Sequence, residues 1–511
     1  MTEGSTEILT SPDVPYNILE NEKVGRYMVA AKDLKAGEEI LSELPFVVGP
    51  KASSYPLCIS CYSPWPETEG NNTLCSKCSW PVCGPNCENL SQHKDYECEI
   101  FAAVGEKFNV KDILEGNHEN GIPQLECITP LRLLLASEKD PVKWAEVKSM
   151  ETHTKQRIKQ PQWQKDHINI VEYLRKRLKL ERFSEDDIQM ACGILEINAH
   201  EVRTPTGCVA RALYPKTAMM NHCCVSNTSH SILPDSYRLR LRTTVDIPKG
   251  GELYGSYTHS LLPTMIRREY LLQGKHFACA CARCSDPTEL GTHMSSLKCN
   301  KCDNGLVLPL DSLDPECMWK CTHCEFSTSG QAVRKVFEII HNHVENVEMI
   351  SGADGADAIQ ERENVIKKYR SVLHPRHAFL TILRHSLTQM YGRVDEYLLD
   401  DLPDVVLEHK VDMCRILLQV LDVIEPGYSR IRGMTLYELH APLLFLAKNL
   451  WNSGTIDNAG LKSKMIEAAS ILKEAANILC LEPPETSEGK IGVAASQALV
   501  ELEQSIENLE T

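Results

Sequence analysis

The chain has 511 residues and a formal net charge of −16, with 42% hydrophobic and 24% charged residues. A chain of this length exceeds one compact core, so several packed units are expected, and the composition is that of a soluble protein. The acidic balance repels phosphate backbones, and no apolar run approaches the roughly 18 residues that span a bilayer, so neither direct nucleic-acid binding nor membrane insertion is expected.

The first twenty residues are acidic and lack a basic start followed by an apolar stretch, so secretory export is not expected. The predicted location is intracellular, in the cytoplasm, the nucleus or both. Disulfides are not kept in a reducing compartment. The 22 cysteines, many of them closely spaced, are therefore interpreted as metal ligands.

The first half of the chain alternates between strand and helix patterns. Residues 16–48 alternate apolar and polar side chains, which predicts short strands. Beyond a cysteine-dense segment come about ninety residues with helical spacing, clearest at Ile168, Val171, Leu174 and Leu178. Ser184, three residues before Asp187, predicts a helix start. Two basic spots, Arg175–Arg177 and Arg267–Arg268, are predicted to be solvated helix faces.

The second half begins with strand-and-turn character at residues 195–258 and continues through a further cysteine-rich segment at 279–324. From Gln331 to the end the pattern is helical and rich in Leu and Ala. Prolines interrupt it at Pro375, Pro426 and Pro483-Pro484. No clean 34-residue repeat is found, and a helical array is the favoured interpretation.

The first cysteine-rich segment offers eight metal ligands. Eight soft ligands suit two tetrahedral zinc ions, and so short a segment needs metal to fold. The ligands are Cys58, Cys61, Cys75, Cys78, Cys83, Cys87, His93 and Cys98.

Two further zinc sites are predicted downstream. Cys279, Cys281 and Cys284 supply only three ligands, so a tetrahedral site needs a fourth from elsewhere. The candidates are Cys223 and Cys224. The other downstream site is a zinc ribbon whose spacing supplies all four cysteine ligands. Its ligands are Cys299, Cys302, Cys321 and Cys324.

Several segments resemble the motifs of SET domains. MMNHCCVSN (219–227) resembles their NHSC-x-PN signature, and IPKGGELYGSY (247–257) resembles their GEEL-x-x-SY segment. HFACACARC (276–284) is similar to the post-SET CxCxxC, and LENEKVGRYMVAAKDLKAGEEIL resembles the opening strand pair. The first cysteine-rich segment resembles the MYND finger, inserted where the SET and MYND domain (SMYD) family carries it. Within that family the chain resembles the arthropod SmydA-type members.

The resemblance implies an α+β protein in which a MYND zinc finger splits the SET β-fold. The implied segments are the N-terminal part of SET (1–56), the MYND finger (57–98), a helical SET insert (99–190), the SET catalytic core (191–258), the post-SET zinc site and ribbon (259–330), and a C-terminal all-α helical-array domain (331–511).

The implied activity is that of a protein-lysine methyltransferase, which transfers a methyl group from S-adenosylmethionine to a histone or non-histone lysine. The resemblance makes Tyr257 the catalytic tyrosine, which also contacts the cofactor, and places Tyr214 in the substrate channel. The other implied cofactor contacts are Gly25, Arg26, Asn198, Asn221, His222 and Phe277.

The resemblance also implies the zinc pairing, with about four ions in total. In the MYND finger the ligands interleave, and Cys224 completes the post-SET site, leaving Cys223 in the usual serine position. The implied MYND groups are Cys58, Cys61, Cys83 and Cys87 on one ion, and Cys75, Cys78, His93 and Cys98 on the other. The expected partners are a substrate lysine and a protein ligand of the finger, and the chain is expected to be a monomer.

Some residues depart from the family pattern. Tyr27 replaces a glycine, and Ser226 replaces the proline before Asn227. Gly251 stands where the family's Gly-Glu-Glu-Leu segment has its first glutamate, which loosens the turn. The alternative function is therefore a catalytically silent zinc adaptor that recruits partners. Side chains alternate faces along a strand, so the Tyr27 ring is predicted to point away from the cofactor. A positive φ at Tyr27 would instead impose strain.

Overall fold

A computed structural model describes residues 6–9, 14–51, 54, 56–65, 73–109, 123–204, 206–350 and 355–509. These residues form an α+β protein with two compact units. The first unit comprises Met1–Glu38, Asn221–Ser229 and Arg242–Thr511, and the second comprises Glu39–Met220 and His230–Leu241. The units cut across the predicted domain boundaries, which stay a prediction. Among the described residues, no helix is both long and apolar enough to cross a lipid bilayer.

The strands are short. In chain order they are β1 (Thr6–Leu9), β2 (Tyr16–Asn21), β3 (Gly25–Ala30), β4 (Glu39–Glu43), β5 (Val47–Gly49), β6 (His200–Arg203), β7 (Val209–Leu213), β8 (Asn221–His222), β9 (Thr228–Ile232), β10 (Leu239–Thr243), β11 (Tyr254–Gly255), β12 (Leu297–Lys298), β13 (Leu306–Pro309), β14 (Met318–Cys321) and β15 (Ser327–Ser329).

The helices lengthen toward the C-terminus. In chain order they are α1 (Pro85–Glu88), α2 (Ser91–Lys94), α3 (Glu97–Val104), α4 (Pro123–Glu126), α5 (Ile128–Lys139), α6 (Pro141–Lys148), α7 (Thr154–Arg157), α8 (Pro161–Asp166), α9 (Glu185–Asn198), α10 (Thr264–Lys275), α11 (Ala282–Ser285), α12 (Gly330–Ile350), α13 (Ala356–Tyr369), α14 (Ala378–Met390), α15 (Asp404–Ile424), α16 (Arg430–Asn452), α17 (Asn458–Leu479) and α18 (Ser487–Asn508).

The first unit contains three small sheets. Strands β1, β2 and β3 form an antiparallel sheet, β8 and β11 pair in parallel, and β12 to β15 form an antiparallel sheet that carries the ribbon cysteines. The turn between β2 and β3 is fixed by Asn21, whose Oδ1 accepts the backbone N–H of Lys23 and of Val24 at 3.0 Å each. Gly25 then adopts a φ of 69°, which glycine tolerates without a steric penalty.

The second unit contains the sheet β5–β7–β6 and the first cysteine-rich segment. A further sheet has the order β4–β10–β9. The chain passes from one unit to the other within β9 and again within β10. Helix α9 starts as predicted. Ser184 Oγ accepts the N–H of Asp187 at 3.1 Å, and Asp187 Oδ2 accepts the N–H of Ser184 at 3.2 Å, which is a capping box.

The segment before α9 departs from ordinary helical spacing. Val171, Leu174 and Leu178 are buried as predicted, but Ile168 is 54% exposed and Ile170 is buried instead. Residues 167–171 and 173–177 are wound as π-helix. A π-helix bonds each residue to the fifth along the chain, so its apolar face does not follow the α-helical period.

The C-terminal region is the predicted helical array, α12 to α18, and Pro375, Pro426 and Pro483-Pro484 all lie between helices as predicted. A further proline, Pro442, lies inside α16. The array joins the zinc ribbon through a shared core in the first unit. Trp319 of β14 packs with Phe337 of α12 and with Phe379 and Leu383 of α14. Gly427 approaches the SET core closely, because a Cβ there would lie 2.0 Å from the carbonyl oxygen of Thr244.

Candidate active site and zinc centres

The two SET signature segments lie side by side in the first unit. β8 and β11 pair in parallel, with Asn221 opposite Tyr254 and His222 opposite Gly255. The backbone N–H of Cys223 extends the pairing by donating to Gly255 O at 3.0 Å. Asn221 Nδ2 donates to Glu252 Oε1 at 2.9 Å. The sequence resemblance predicted both segments, and their pairing brings Asn221, His222 and Tyr257 into one local structure.

Ser226 compensates for the missing proline of the signature. Its hydroxyl lies 2.7 Å from both Tyr254 O and Thr228 O and accepts the N–H of Thr228 at 3.2 Å. Asn227 completes the anchor, since its Nδ2 donates to Glu252 O at 2.8 Å and its Oδ1 accepts the N–H of Tyr254 at 2.7 Å. The departure therefore leaves the turn tied to β11.

Three aromatic side chains form a cluster beside this strand pair. The ring centroids of His222 and Tyr257 lie 5.3 Å apart, those of His222 and Phe277 5.9 Å, and those of Tyr257 and Phe277 6.4 Å. The backbone N–H of Tyr257 donates to His222 Nδ1 at 3.0 Å, which orients the imidazole. Desolvation raises the pKa of the Tyr257 phenol to about 12. The phenol is therefore protonated at neutral pH.

Gly25 and Arg26 lie on β3, which belongs to the first unit together with Tyr257. The 251–253 segment runs beside β3, because Ala30 N donates to Gly251 O and Leu253 N donates to Met28 O at 2.8 Å each. A Cβ on Gly25 would meet no atom within 4 Å, so the backbone there borders open space. Both residues thus lie on a strand adjoining the segment that leads to Tyr257.

The Tyr27 ring is buried, at 5% exposure, in a cluster with Leu19 and Val29. Alternation along β3 places Arg26 and Met28 on the opposite face. Tyr27 has no positive φ, so its backbone carries no left-handed strain, whereas Gly25 does adopt a positive φ. The ring therefore shares a face with Val29 rather than with Arg26. The effect of Tyr27 on cofactor binding stays a prediction.

Asn198 and Tyr214 belong to the second unit. Asn198 is the last residue of α9, and its Nδ2 donates to Glu151 O and Ile194 O at 2.9 Å each. Tyr214 is fully buried, and its hydroxyl donates to Tyr237 O. Their predicted roles toward cofactor and substrate stay predictions.

The post-SET cysteines gather with Cys224. Its Sγ lies 3.9 Å from that of Cys279 and 3.5 Å from that of Cys284. Tetrahedral Zn–S bonds of about 2.3 Å place sulfurs about 3.8 Å apart, so this spacing fits zinc. The ligand group contains Cys224 and not Cys223. His222 Nε2 lies 3.2 Å from Cys224 Sγ, so one residue links this group to the aromatic cluster.

Two buried arginines support the post-SET group. Arg267 Nε donates to Cys224 Sγ at 3.4 Å and its Nη1 to Glu289 Oε2 at 2.8 Å, while Arg283 Nε donates to the same Glu289 oxygen at 2.8 Å. Burial alone would raise the pKa of Glu289, but the two guanidinium groups lower it to about 2. The prediction that Arg267 is solvated is wrong, since it has 0% exposure, and Arg268 is partly buried. A charge so deeply buried requires partners, which Glu289 and the sulfurs provide.

The first cysteine-rich segment contains two ligand groups in the second unit. Their interleaved pairing is the one that the resemblance implied, and in each group the ligand atoms lie within 4.8 Å of one another. The groups are Cys58, Cys61, Cys83 and Cys87, and Cys75, Cys78, His93 and Cys98. Both donor sets suit tetrahedral zinc.

A buried network connects the histidine ligand to the rest of the second unit. His93 Nδ1 lies 3.0 Å from Glu97 Oε1, leaving Nε2 3.5 Å from Cys78 Sγ. Arg132 of α5 donates from Nε to Glu97 Oε2 at 2.8 Å and from Nη1 to Val48 O of β5 at 3.0 Å. A carboxylate behind a histidine ligand fixes its tautomer and ring orientation. The finger is thereby attached to the SET strands by fully buried polar groups.

The ribbon group is compact and receives backbone support. Sγ–Sγ distances are 3.6 Å for Cys299 and Cys324 and 3.7 Å for Cys302 and Cys321. The N–H of His323 donates to Cys321 Sγ at 3.3 Å. These distances fit zinc.

Sequence reasoning missed the groups behind the ligands. Glu97 and Arg132 are 35 residues apart, and Arg267 and Glu289 are 22 apart, so neither pair follows helical spacing. Glu97 alone carries a local signal, because it stands four residues after His93, although His93 lies on α2 and Glu97 begins α3.

The comparisons with known proteins agree with this geometry. The SET domain family matches residues 25–258. The SET domain-containing protein SmydA-8, isoform A, of Drosophila melanogaster is 32% identical over 61% of this chain and 65% of its own length. The histone-lysine N-methyltransferase ASHR1 of Arabidopsis thaliana is 24% identical over 81% of this chain and 83% of that protein.

A SET and MYND domain-containing protein of Dictyostelium discoideum is 23% identical over 52% of this chain and 80% of its own length. The match to SmydA-8 isoform A, at 65% of its length, covers slightly less than two thirds of that relative. The paired SET signatures and the four cysteine-based ligand groups agree with these similarities: the chain matches the SET domain over residues 25–258 and is similar to SET and MYND domain proteins.

Proposed function

We propose that this chain is an S-adenosylmethionine-dependent protein-lysine methyltransferase. The observation that carries the proposal is the position of Tyr257, whose backbone bonds to His222 and whose ring lies beside Phe277. These residues occupy the positions at which the SET resemblance implies catalysis and cofactor binding. The similarity to ASHR1, named a histone-lysine N-methyltransferase, supports the same reaction class.

The residues of the first unit suit this cofactor chemically. The aromatic faces of the His222, Tyr257 and Phe277 cluster can stack against a purine, and Tyr257 retains 42% exposure. The positive φ and open surroundings of Gly25 permit close backbone approach. We assign Asn221 and His222 to the adenosine end of S-adenosylmethionine. We assign Gly25 and Arg26 to contacts along the rest of the cofactor. When bound, S-adenosylmethionine supplies a methyl group already activated on a sulfonium.

The substrate amine must reach the site uncharged. A lysine with a pKa near 10.4 is neutral at pH 7 only about once in 2,500, which costs about 4.6 kcal/mol. Apolar surroundings lower this cost because they disfavour the ammonium form. The Phe277 ring beside Tyr257 provides an apolar surface of this kind.

Tyr257 acts by orientation in this proposal. With a pKa of about 12, its phenol is not a base at neutral pH. Its hydroxyl oxygen instead accepts a hydrogen bond from an amine N–H, which leaves the nitrogen lone pair pointing along the transfer axis. Alignment of this kind contributes about 7–11 kcal/mol in well-oriented reactions. The proton leaves the ammonium group to solvent before transfer.

Methyl transfer tests the proposal directly. Purified chain with tritium-labelled S-adenosylmethionine should label lysines in histones or in a cell extract. Tyr257→Phe should reduce labelling by about 100-fold or more, the scale set by losing one aligned hydrogen bond. Tyr270→Phe is the matched control, because Tyr270 is 53% exposed on α10, and it should label at the parent rate. No labelling by the parent, or equal labelling by Tyr257→Phe, contradicts the proposal.

A further inference from the structure

A cavity of about 370 Å³ lies within the first unit, between α10, the loop after the post-SET cysteines and the zinc ribbon. This volume is in the range of small-ligand sites. Its walls are mainly apolar and include Met265 and Leu272 of α10, Pro309 of β13 and Trp319 of β14. The opposite side of α10 carries Arg267 and Leu271 toward the post-SET cysteines. The cavity is therefore separate from that ligand group.

The cavity wall is held in shape by Arg268. Its Nε donates to Cys279 O at 2.9 Å, and its Nη1 donates to Leu313 O at 2.6 Å. These bonds join the post-SET segment to the ribbon loop.

Carboxylates outnumber cations around the cavity. Glu269, Asp311 and Asp314 line it and are exposed. The Asp311 carboxylate accepts the N–H of Leu313 at 2.8 Å, which holds it on the ribbon loop. Arg334 also lines the cavity, but it pairs with Glu269 at 3.4 Å. The two aspartates thus leave a negative edge on an apolar cavity.

We propose that this cavity binds an arginine side chain from a basic protein segment. Arginine combines an apolar stem with a planar cation carrying five N–H donors. The stem matches the apolar side chains of Met265 and Leu272, and the guanidinium with its N–H donors matches the carboxylates of Asp311 and Asp314. This proposal holds whether or not the chain transfers methyl groups, because binding here involves neither the aromatic cluster nor a cofactor.

The test compares two blocked tripeptides, acetyl-Ala-Arg-Ala-amide and its citrulline counterpart, which has nearly the same shape and no charge. Binding to the zinc-loaded full chain is measured by ligand-observed NMR. The arginine peptide should bind saturably, and the citrulline peptide about 10-fold more weakly, equivalent to roughly 1.4 kcal/mol. Equal binding of the two peptides, or no saturable binding at millimolar peptide, overturns the proposal.

Substitutions in the cavity wall test whether the arginine peptide binds there. The double variant Asp311→Asn, Asp314→Asn should bind the arginine peptide about fivefold more weakly, as expected for exposed charges. Asp400→Asn, an exposed aspartate far along the chain, is the control and should bind like the parent. Leu272→Trp, at an exposed position of α10, should obstruct the cavity and abolish binding. Zinc content and circular dichroism equal to the parent's establish folding, and unchanged affinity in the folded aspartate and Leu272 variants overturns the assignment.

Discussion

Buried charged side chains link the zinc ligand His93 to the surrounding strands and helices through hydrogen bonds. Glu97 and Arg132 are 0% and 1% exposed. Burial alone would raise the pKa of Glu97, but the Arg132 guanidinium lowers it below its ordinary value. Breaking a buried pair leaves one charge uncompensated, which costs far more than losing a surface pair.

Arg132→Met should therefore destabilise the protein by about 3–5 kcal/mol. Adding Glu97→Gln should restore part of this loss, because the buried charge is then gone. Lys143→Met is the control, since the Lys143 side chain is 67% exposed in a pair with Asp140. Urea unfolding measures the differences. An Arg132→Met protein as stable as the control would show that the network contributes little.

The adjacent cysteines Cys223 and Cys224 should differ in their effect on zinc. The parent should carry four zinc ions, and Cys224→Ser should carry three, because its sulfur alone joins the post-SET group. Cys223→Ser should keep four. Elemental analysis after removal of loose metal measures the count. Equal loss in both variants would refute this assignment.

At the residue scale, local chemistry was predictable, but the burial of charged side chains was not. Metal-ligand spacing indicated fifteen of the sixteen ligands, because tetrahedral zinc needs four soft donors close together, and the resemblance to the SET signature selected Cys224 over Cys223 as the last. The burial of Arg267 could not be predicted, because a charged helix residue is ordinarily solvated and its partner Glu289 comes from a distant turn.

Among the elements, capping and alternation were more informative than helical spacing. The Ser184 capping box and the strands β2 and β3 were confirmed, since both depend on neighbouring residues, although the last four residues of β3 are all buried. The π-helical winding around Ile168 was not predicted, because sequence periodicity does not show where extra residues widen a helix.

The start of α14 should make stability depend on pH. Burial lowers the pKa of His377 to about 3 and that of nearby His374 to about 4. An unfolded histidine has a pKa of about 6.5. The unfolded chain therefore binds more protons at mildly acidic pH, so stability from these groups is present above pH ~6.5 and falls as pH falls, by up to about 1.4 kcal/mol per pH unit for each.

His377→Asn should flatten this dependence by about one proton, about 1.4 kcal/mol per pH unit. Asparagine keeps a side-chain acceptor for the N–H of Phe379, which His377 Nδ1 accepts at 3.2 Å. Urea unfolding between pH 5 and 7 measures the slope at saturating zinc. An unchanged slope would mean that His377 is not the group taking up the proton.

For the whole molecule, the order of motifs predicted the α+β class, the four ligand groups and the helical array. It did not predict the two compact units, which divide the SET strands between them. Long-range contacts decide such a division, and sequence patterns mainly record local preference. The placement of Asn198 and Tyr214 toward a cofactor or substrate is for the same reason still a prediction.

Calorimetric titration with S-adenosylmethionine tests the central claim most directly. The parent should show one site per chain, because β3 keeps the Tyr27 ring beside Leu19 and Val29 and leaves Gly25 bordering open space. Asn221→Ala should abolish binding, and Tyr257→Phe should keep it. No binding by the parent, with binding gained in Tyr27→Gly, would contradict the methyltransferase account and make this chain a zinc-stabilised adaptor.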